Sequence, residues 1–449
     1  MLSDKFRITA RNTATNIMLV TNAFVWYYLI IRILDNVSIK IGMDHSATLL
    51  MWGIHFAGMT FSAIAGASLV RKVGDRTRFL IYWMALGVVS SVFSIALVAT
   101  YVPSVLMLSL LLGVSLGLGM PSCMGYFTEN MEVQNRGRSA GIIILLSGVT
   151  MAAFGTTAAE NIGIQTLILS VWRIIGLAVF LLFRRANQGP EKTKAPSYRS
   201  LFNQRSFILY LVPWVMFSLI TYLTIPIQTR IIESMQLQMV DVPSVGFLRG
   251  IENVLTGIFA VVGGFLSDIV GRKRMAIVGF VMLGLGYSVI GIYPENILGW
   301  YFYTVVDGAA WGMLFVIFVV TVWGELSHHA PSDKYYAIGV APFFISKALQ
   351  FTIGNDIANG IPTSAIFSFT AFFLFLAVLP LVYAPETLPE KTMKDRELKN
   401  YIEKAQKEAA KAQQNETETP QQENEDAEVE FEANQKDYEE ILKEAEKYY

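Results

Sequence analysis

Apolar stretches of about twenty residues recur along the first 384 positions, each closed by a short cluster of charged or turn-forming residues. A run of that length matches the hydrocarbon thickness of a bilayer, which takes roughly 20 residues of α-helix. In hydrocarbon every backbone N–H and C=O must be satisfied within the protein, and an α-helix does this within one segment. Twelve spans are expected, at about 14–34, 47–70, 79–100, 105–127, 139–158, 164–183, 206–225, 245–267, 275–293, 298–324, 337–357 and 363–384. Composition agrees: 53% of residues are hydrophobic and 16% charged, where a soluble domain is about a quarter charged. Lys5, Arg7 and Arg11 precede the first span and no small-residue cleavage site follows it, so that span is expected to stay rather than leave as a signal peptide. The single cysteine, Cys123, rules out an intrachain disulfide.

Positive charge sets the orientation. The N-terminus and loops 71–78, 129–138, 184–205, 268–274 and 325–336 hold 19 Lys and Arg residues, against Lys40 and Arg230 in the opposite loops. Cytoplasmic loops carry such an excess, so both termini are expected in the cytoplasm. The net charge of −1 hides a division: residues 1–384 carry 25 basic and 17 acidic residues, and 385–449 carry 10 and 19. An acidic tail of this kind reads as a solvated, partly helical extension. Its segment 414–427 (QNETETPQQENEDA) is expected to be disordered, and a partner for the tail is unknown.

Three landmarks repeat at nearly one spacing. Gly74 matches Gly271, Glu129 matches Glu325, and Pro190-Glu191 matches Pro385-Glu386, offsets of 197, 196 and 195. The chain therefore reads as two pseudo-symmetric six-helix bundles, 1–183 and 206–384. They are joined by a basic, proline-containing cytoplasmic linker, 184–205, and followed by a charged tail, 385–449.

Between Gly264 and Arg274 the chain reads GFLSDIVGRKR, and a degraded copy, ASLVRKVGDRTR, spans Ala67 to Arg78. The pattern Gly264, Asp268, Gly271, Arg272, Lys273, Arg274 resembles the signature loop of the major facilitator superfamily of transporters. That resemblance implies the twelve-helix fold of that superfamily, with a substrate site between the halves near the midplane and alternating access by rocking. In the first copy, whose matching residues include Gly74, Asp75, Arg76 and Arg78, the acid and cation exchange places: Arg71 stands at the aspartate position and Asp75 at the arginine position. Tyr126, Glu129, Arg136 and Gly137, with PETLPE at Pro385–Glu390, resemble the span ends of sugar porters and related solute symporters. By that resemblance Glu129 with Arg76 or Arg78, and Glu325 with Arg272 or Arg274, form gating pairs. The alternative is a set of static surface ion pairs, each contributing little. The glutamine-rich motifs of sugar binding on spans five and seven are missing, as is the glycine-proline motif of drug/proton antiporters.

Ionisable residues deep in a span are costly and usually functional or paired. Counting about 1.5 Å per residue, His55, Glu252, Asp307 and Lys347 lie about 12–15 Å from the nearer boundary, and Arg249 sits one turn from Glu252. Glu252 is the first candidate for carrying a proton; the alternative is an Arg249–Glu252 pair that neutralises itself. Asp307 and Lys347 suit either a structural bridge or a site, and Arg249 with Lys347 suits a carboxylate or phosphate. His55 is a titratable candidate or a packed, hydrogen-bonded residue. Arg173 is expected to reach Glu160 or to snorkel. Trp26, Trp52, Trp214 and Trp311 are candidates to line the site by stacking.

The functional expectation is a secondary transporter in the cytoplasmic membrane, moving a small polar solute (a sugar or organic acid) with protons. It is expected to act as a monomer in the bilayer, with no nucleic-acid partner. The rivals are efflux of amphipathic compounds and a non-transporting sensor that signals through the tail. No nucleotide-binding loop is present, which excludes ATP as energy source and leaves no cofactor expected. His328 and His329 have no further ligands clustered beside them, so no metal site is expected. One cysteine and four histidines so placed assemble no nucleophile–base constellation, which argues against an enzyme.

Overall fold

A computed structural model describes residues 2–97, 101–157, 161–184, 195–238, 243–328, 330–354, 356, 360, 362–388 and 406. Glu160, His329, residues 185–194 of the linker and the tail beyond 388, Gln406 excepted, lie outside them. The chain is helical: α1 (Leu2–Lys40), α2 (His45–Val73), α3 (Arg76–Leu97), α4 (Val102–Asn130), α5 (Arg136–Thr157) and α6 (Ile162–Phe183) come first. A short α7 (Tyr198–Phe202) leads to α8 (Arg205–Gln238), α9 (Val245–Val270), α10 (Arg272–Ile292) and α11 (Ile297–Phe315). Then follow α12 (Val322–Leu326), α13 (Asp333–Gly339), α14 (Ala341–Thr352), α15 (Thr363–Leu376) and α16 (Val378–Tyr383). A π-helical turn, Val316–Thr321, carries α11 into α12, making one rod from Ile297 to Leu326.

The ends of these helices follow from local chemistry. Asp44 and Ser244 accept the backbone N–H of Ala47 (2.9 Å) and Phe247 (3.1 Å), so α2 and α9 start with a side-chain cap. Gly74 closes α2 at φ 79°, a left-handed conformation that favours glycine. α8 runs through Pro226 to Gln238, past the expected end at 225. A proline is tolerated inside a membrane helix because neighbouring groups take up the freed backbone acceptor.

Among the described residues eleven helices are long and apolar enough to cross a membrane. The expected span at 337–357 is not one continuous helix. α13 stops at Gly339, and α14 starts afresh at Ala341 with Pro342 in its first turn. Proline has no N–H to give the carbonyl four residues back, so the i→i−4 ladder is interrupted there. The outer faces carry apolar side chains in the open, among them Phe61 (73% exposed) and Leu182 (70%). The interior is aromatic, with Trp26, Trp83, Trp214, Trp300 and Trp323 fully buried. That inversion suits a surface solvated by lipid rather than water.

α1 packs on α4, α5 and α6, and α2 lies along α4. α9 and α10 pack on α11, while α8 packs on α14, α15 and α16. The first six helices meet the later ones along α5–α9, α2–α14 and α4–α13. The α5–α9 contact is backbone on backbone: a Cβ at Gly264 would strike the Gly137 carbonyl, and one at Gly141 the Ala260 carbonyl. Small residues let membrane helices approach this closely.

Candidate functional site

At one end of the molecule, the loop between α9 and α10 ties four elements together. Asp268, fully buried, accepts the backbone N–H of Gly137 and of Arg138, both at 2.9 Å, so it caps the start of α5. A carboxylate at a helix N-terminus is favoured by the unpaired N–H groups and the helix dipole. The same carboxylate accepts from Arg272 Nη1 at 2.6 Å. Arg272, also fully buried, donates to Glu325 from Nε (3.1 Å) and Nη2 (3.0 Å) and to the Val133 carbonyl (3.0 Å). Glu386, after α16, accepts the N–H of Arg272 (2.8 Å) and Lys273 (3.1 Å), capping α10. Gly271, at φ 109°, brings that turn against Glu386, and a Cβ there would strike the carboxylate. Thr387 Oγ1 donates to Glu325 at 2.6 Å.

The first copy is built differently. Asp75 accepts the N–H of Thr77 (2.8 Å) and pairs with Arg78 at 3.6 Å. Arg76 binds Glu129 at the end of α4 and Asp333 in the first turn of α13. In the second copy the loop gives an acid to the facing helix start; in the first the loop gives a cation, and the facing helix start supplies the acid. Of the pairs expected from the sequence, Arg76–Glu129 and Arg272–Glu325 are the ones that form. Arg274 is exposed, Lys273 Nζ donates to the Val382 carbonyl (2.8 Å), and Arg136 donates to the carbonyls of Thr128 (2.6 Å) and Met131 (3.2 Å).

Polar groups on α8, α9, α10 and α11, buried apart from the partly exposed Arg249 and Glu252, form one network. Arg249 donates to both oxygens of Glu252 (3.1 and 3.4 Å) and to Gln228 Oε1 (3.1 Å). Gln228 Nε2 donates to the hydroxyls of Tyr287 (2.9 Å) and Tyr303 (2.8 Å), and Tyr287 also bonds Thr224 (2.7 Å). Tyr303 and Trp311 donate to one oxygen of Asp307, at 2.9 and 3.2 Å. Asp307 also faces Glu252 and Arg249. Lys347 is not bridged to Asp307. Its ammonium donates to Gln350 (3.1 Å) and sits over the ring of Tyr222 (4.1 Å), within the field of Arg249 and Glu252.

The remaining candidates are in other places. His55 is buried between α2 and α4, with Nδ1 against the Ser109 carbonyl at 3.0 Å. Trp26 belongs to the interior of the first six helices: it donates to Ser91 (2.9 Å) and meets Trp83 edge-on. Arg173 neither snorkels nor lies at the surface; its guanidinium sits 4.2 Å from the rings of both Trp26 and Trp83 and donates to Asn22 (2.8 Å). Trp214 stacks on Phe318 (5.1 Å) inside the later helices. Trp52 stacks on Phe351 (4.3 Å), where α2 meets α14. Of the four candidate tryptophans, Trp311 alone hydrogen-bonds to the network, through Asp307.

Gln228, Tyr287, Tyr303, Thr224, Asp333 and Glu386 were not among the expected site residues. Gln228 falls just beyond the expected end of the seventh span, and the two tyrosines look like ordinary core aromatics in sequence. The available signal was Gln228 itself, because a buried amide demands several partners.

Two solved structures share this architecture. One is the human organic anion transporter MFSD10 (TETRAN), with a TM-score of 0.58 and 12% identity over 83% of this chain and 99% of that one. The other is the proton:xylose symporter XylE of the major facilitator superfamily, bound to 6-bromo-6-deoxy-D-glucose. It matches with a TM-score of 0.60 and 15% identity over 85% of this chain and 96% of that one. No family model matches the chain, and no curated protein matches it in sequence. At these identities the likeness carries the fold alone: an all-helical, multi-pass membrane protein with the fold of the major facilitator superfamily.

Proposed function

We propose that this chain is a secondary active transporter that moves a small polar solute, a sugar or an organic acid, together with protons by alternating access. The carrying observation is the network of Glu252, Arg249, Gln228, Tyr287, Tyr303 and Asp307 held between membrane-spanning helices. Charges are costly there and are retained where a solute or an ion passes. In this reading α13 and α14 together serve as the eleventh of twelve spans, residues 1–183 and 206–384 are the two rocking halves, and both termini face the cytoplasm of a cell-membrane monomer. The Asp268–Arg272–Glu325 and Arg76–Glu129–Asp333 clusters close the cytoplasmic end. Their links between the halves, Asp268 to the N–H groups of Gly137 and Arg138, Arg272 to the Val133 carbonyl and Arg76 to Asp333, break when the halves rock. Glu252 exchanges the coupling proton.

Both fold relatives are solute carriers by name, one for organic anions and one for xylose with protons, which supports transport without choosing between the solutes. The test is solute-evoked proton movement in sealed proteoliposomes, using sugars, carboxylates and amphipathic cations, with Glu252→Gln alongside. A solute class that draws protons inward, and loses that coupling in Glu252→Gln, is the expected result. Solute flux with no proton signal, or an unaltered variant, refutes proton coupling at Glu252.

A further inference from the structure

We infer that the valley between α1 and α6 holds one anionic phospholipid, with its phosphate on Arg11 and Arg184 and one acyl chain lying along the valley. This site is separate from the charged network of the later helices and does not depend on the transport reading. The two helices run antiparallel in a register fixed by hydrogen bonds. Thr15 Oγ1 lies 3.5 Å from the Phe183 carbonyl, Asn22 Nδ2 donates to the Trp172 carbonyl at 2.8 Å, and Asn36 donates to Gln165 at 3.0 Å. Between the first two links is a groove of about 290 Å³, lined by Thr15, Met18 and Asn22 on α1 and by Trp172, Ile175 and Val179 on α6. Each set is spaced i, i+3, i+7 and so shares one helix face; seven residues give the groove a length of about 10 Å. Its rim faces outward, since Met18 and Ile175 are both exposed.

The polar residues of the groove are turned to one another. Thr15 donates to the Arg11 carbonyl (2.9 Å), and Asn22 accepts from Arg173 (2.8 Å) besides donating to the Trp172 carbonyl. Trp172 Nε1 in turn donates to the Asn22 carbonyl (3.1 Å). The surface left to an occupant is therefore carbon, and a hydrocarbon chain enters it without stranding a polar group. A chain that comes from the bilayer gains packing contact rather than hydrophobic energy. The groove thus sets where a chain lies, and the head group decides which lipid is held.

Charge complementarity names that lipid. Arg11, one turn before Thr15, places Nη2 on the Leu182 carbonyl at 3.1 Å and its guanidinium 5.4 Å from the Phe183 ring. Arg184 follows Phe183, is exposed, and its guanidinium meets no acceptor among the described residues. Two cations therefore stand at one end of an apolar groove, and neither forms an ion pair among the described residues. The neighbouring sequence adds Lys5, Arg7 and Arg185 against Asp4, so the field at this end is positive. A phosphate between the two arginines relieves their repulsion and takes planar N–H donors from each. Anionic phospholipids concentrate in the cytoplasmic leaflet, the side expected for this end of α1 from the distribution of Lys and Arg.

Trp172 supplies the assay, because it lines the groove and is the one tryptophan among the described residues that is not buried. Full-length protein is placed in phosphatidylcholine nanodiscs with a minor fraction of either phosphatidylglycerol or phosphatidylcholine carrying brominated chains, which quench a tryptophan they touch. Brominated phosphatidylglycerol should quench at a mole fraction about thirtyfold lower than brominated phosphatidylcholine, the factor equivalent to about 2 kcal/mol for two cations at a lipid surface. High salt should narrow that difference. Arg11→Gln with Arg184→Gln should remove most of it, and Arg11→Lys with Arg184→Lys should keep part of it, which separates lost charge from lost folding. Trp172→Phe should abolish the quenching, and Val179→Phe, which fills the groove and leaves both arginines in place, should weaken it. Equal quenching by the two lipids, or a preference that survives the double glutamine variant, makes the contact ordinary boundary lipid and overturns the inference. Quenching that persists in Trp172→Phe overturns it too, as does displacement of the brominated phosphatidylglycerol by an equal amount of oleate, which would make the occupant a fatty acid.

Discussion

Asp268→Asn tests the idea that the α9–α10 loop holds the described state closed. The carboxylate takes three donors, the N–H of Gly137, the N–H of Arg138 and Arg272 Nη1, in a fully buried setting. An amide has one acceptor oxygen and turns an NH2 donor towards donors that need an acceptor. Breaking a buried charged pair by removing one partner costs about 3–5 kcal/mol. The lower end applies, because Arg272 keeps Glu325 and the Val133 carbonyl. Since the bonds to Gly137 and Arg138 link α9 to α5, where the first six helices meet the later ones, the loss weighs on the closed arrangement and not on an arrangement in which α5 and α9 have parted. About 3 kcal/mol is roughly a hundredfold shift in that equilibrium. With Cys123 replaced by Ser, spin labels at Arg78→Cys and Arg274→Cys report the distance between the two loops by double electron–electron resonance. The Asp268→Asn protein should move most of its population to a longer, broader distance and melt earlier in detergent. A distance distribution and melting curve indistinguishable from those of the parent would refute the latch.

Three further outcomes follow from the same geometry. Gly264→Ala places a methyl group against the Gly137 carbonyl, a backbone contact that no rotamer change relieves; a loss of about 1–3 kcal/mol is expected in chemical denaturation. Tyr303→Phe deletes the hydroxyl shared by Asp307 and Gln228 at 2.9 and 2.8 Å, at about 1–3 kcal/mol; the expected signature is slowed solute flux with an unchanged helical circular dichroism spectrum. Truncation after Lys391 leaves the compact unit Met1–Pro389 intact, so solute flux in proteoliposomes should persist; loss of flux would instead give the tail a direct part in the cycle.

The repeated apolar runs, the loop GFLSDIVGRKR and the partners of Glu129 and Glu325 were legible in the chain because each is a local or nearly local property. Hydrocarbon length selects helices, and a cation one loop away from a helix-ending acid has few other partners. The Arg249–Glu252 pair was legible too, since three residues along a helix face places the two side chains together. The interruption of the eleventh expected span at Val340 and Pro342 was less so, since a proline is tolerated in some membrane helices and breaks others.

Assignment of the buried charges needed tertiary structure. Periodicity says which residues share a face but not which distant helix meets that face, and the partner decides the chemistry. Arg173 lies between Trp26 and Trp83, and His55 is held to a carbonyl on α4, so both are packed into the first six helices. Asp307 answers to Tyr303 and Trp311 rather than to Lys347. Gln228 became the centre of the network only because α8 continues past Pro226 and sets its amide between Arg249, Tyr287 and Tyr303. The sequence alone determined a helical membrane body with a duplicated, cation-rich loop, because bilayer thickness and backbone hydrogen bonding act segment by segment. Which charges pair and which face the interior was decided by the packing of helices remote in sequence, because a buried charge takes its meaning from whatever stands within a few ångströms of it.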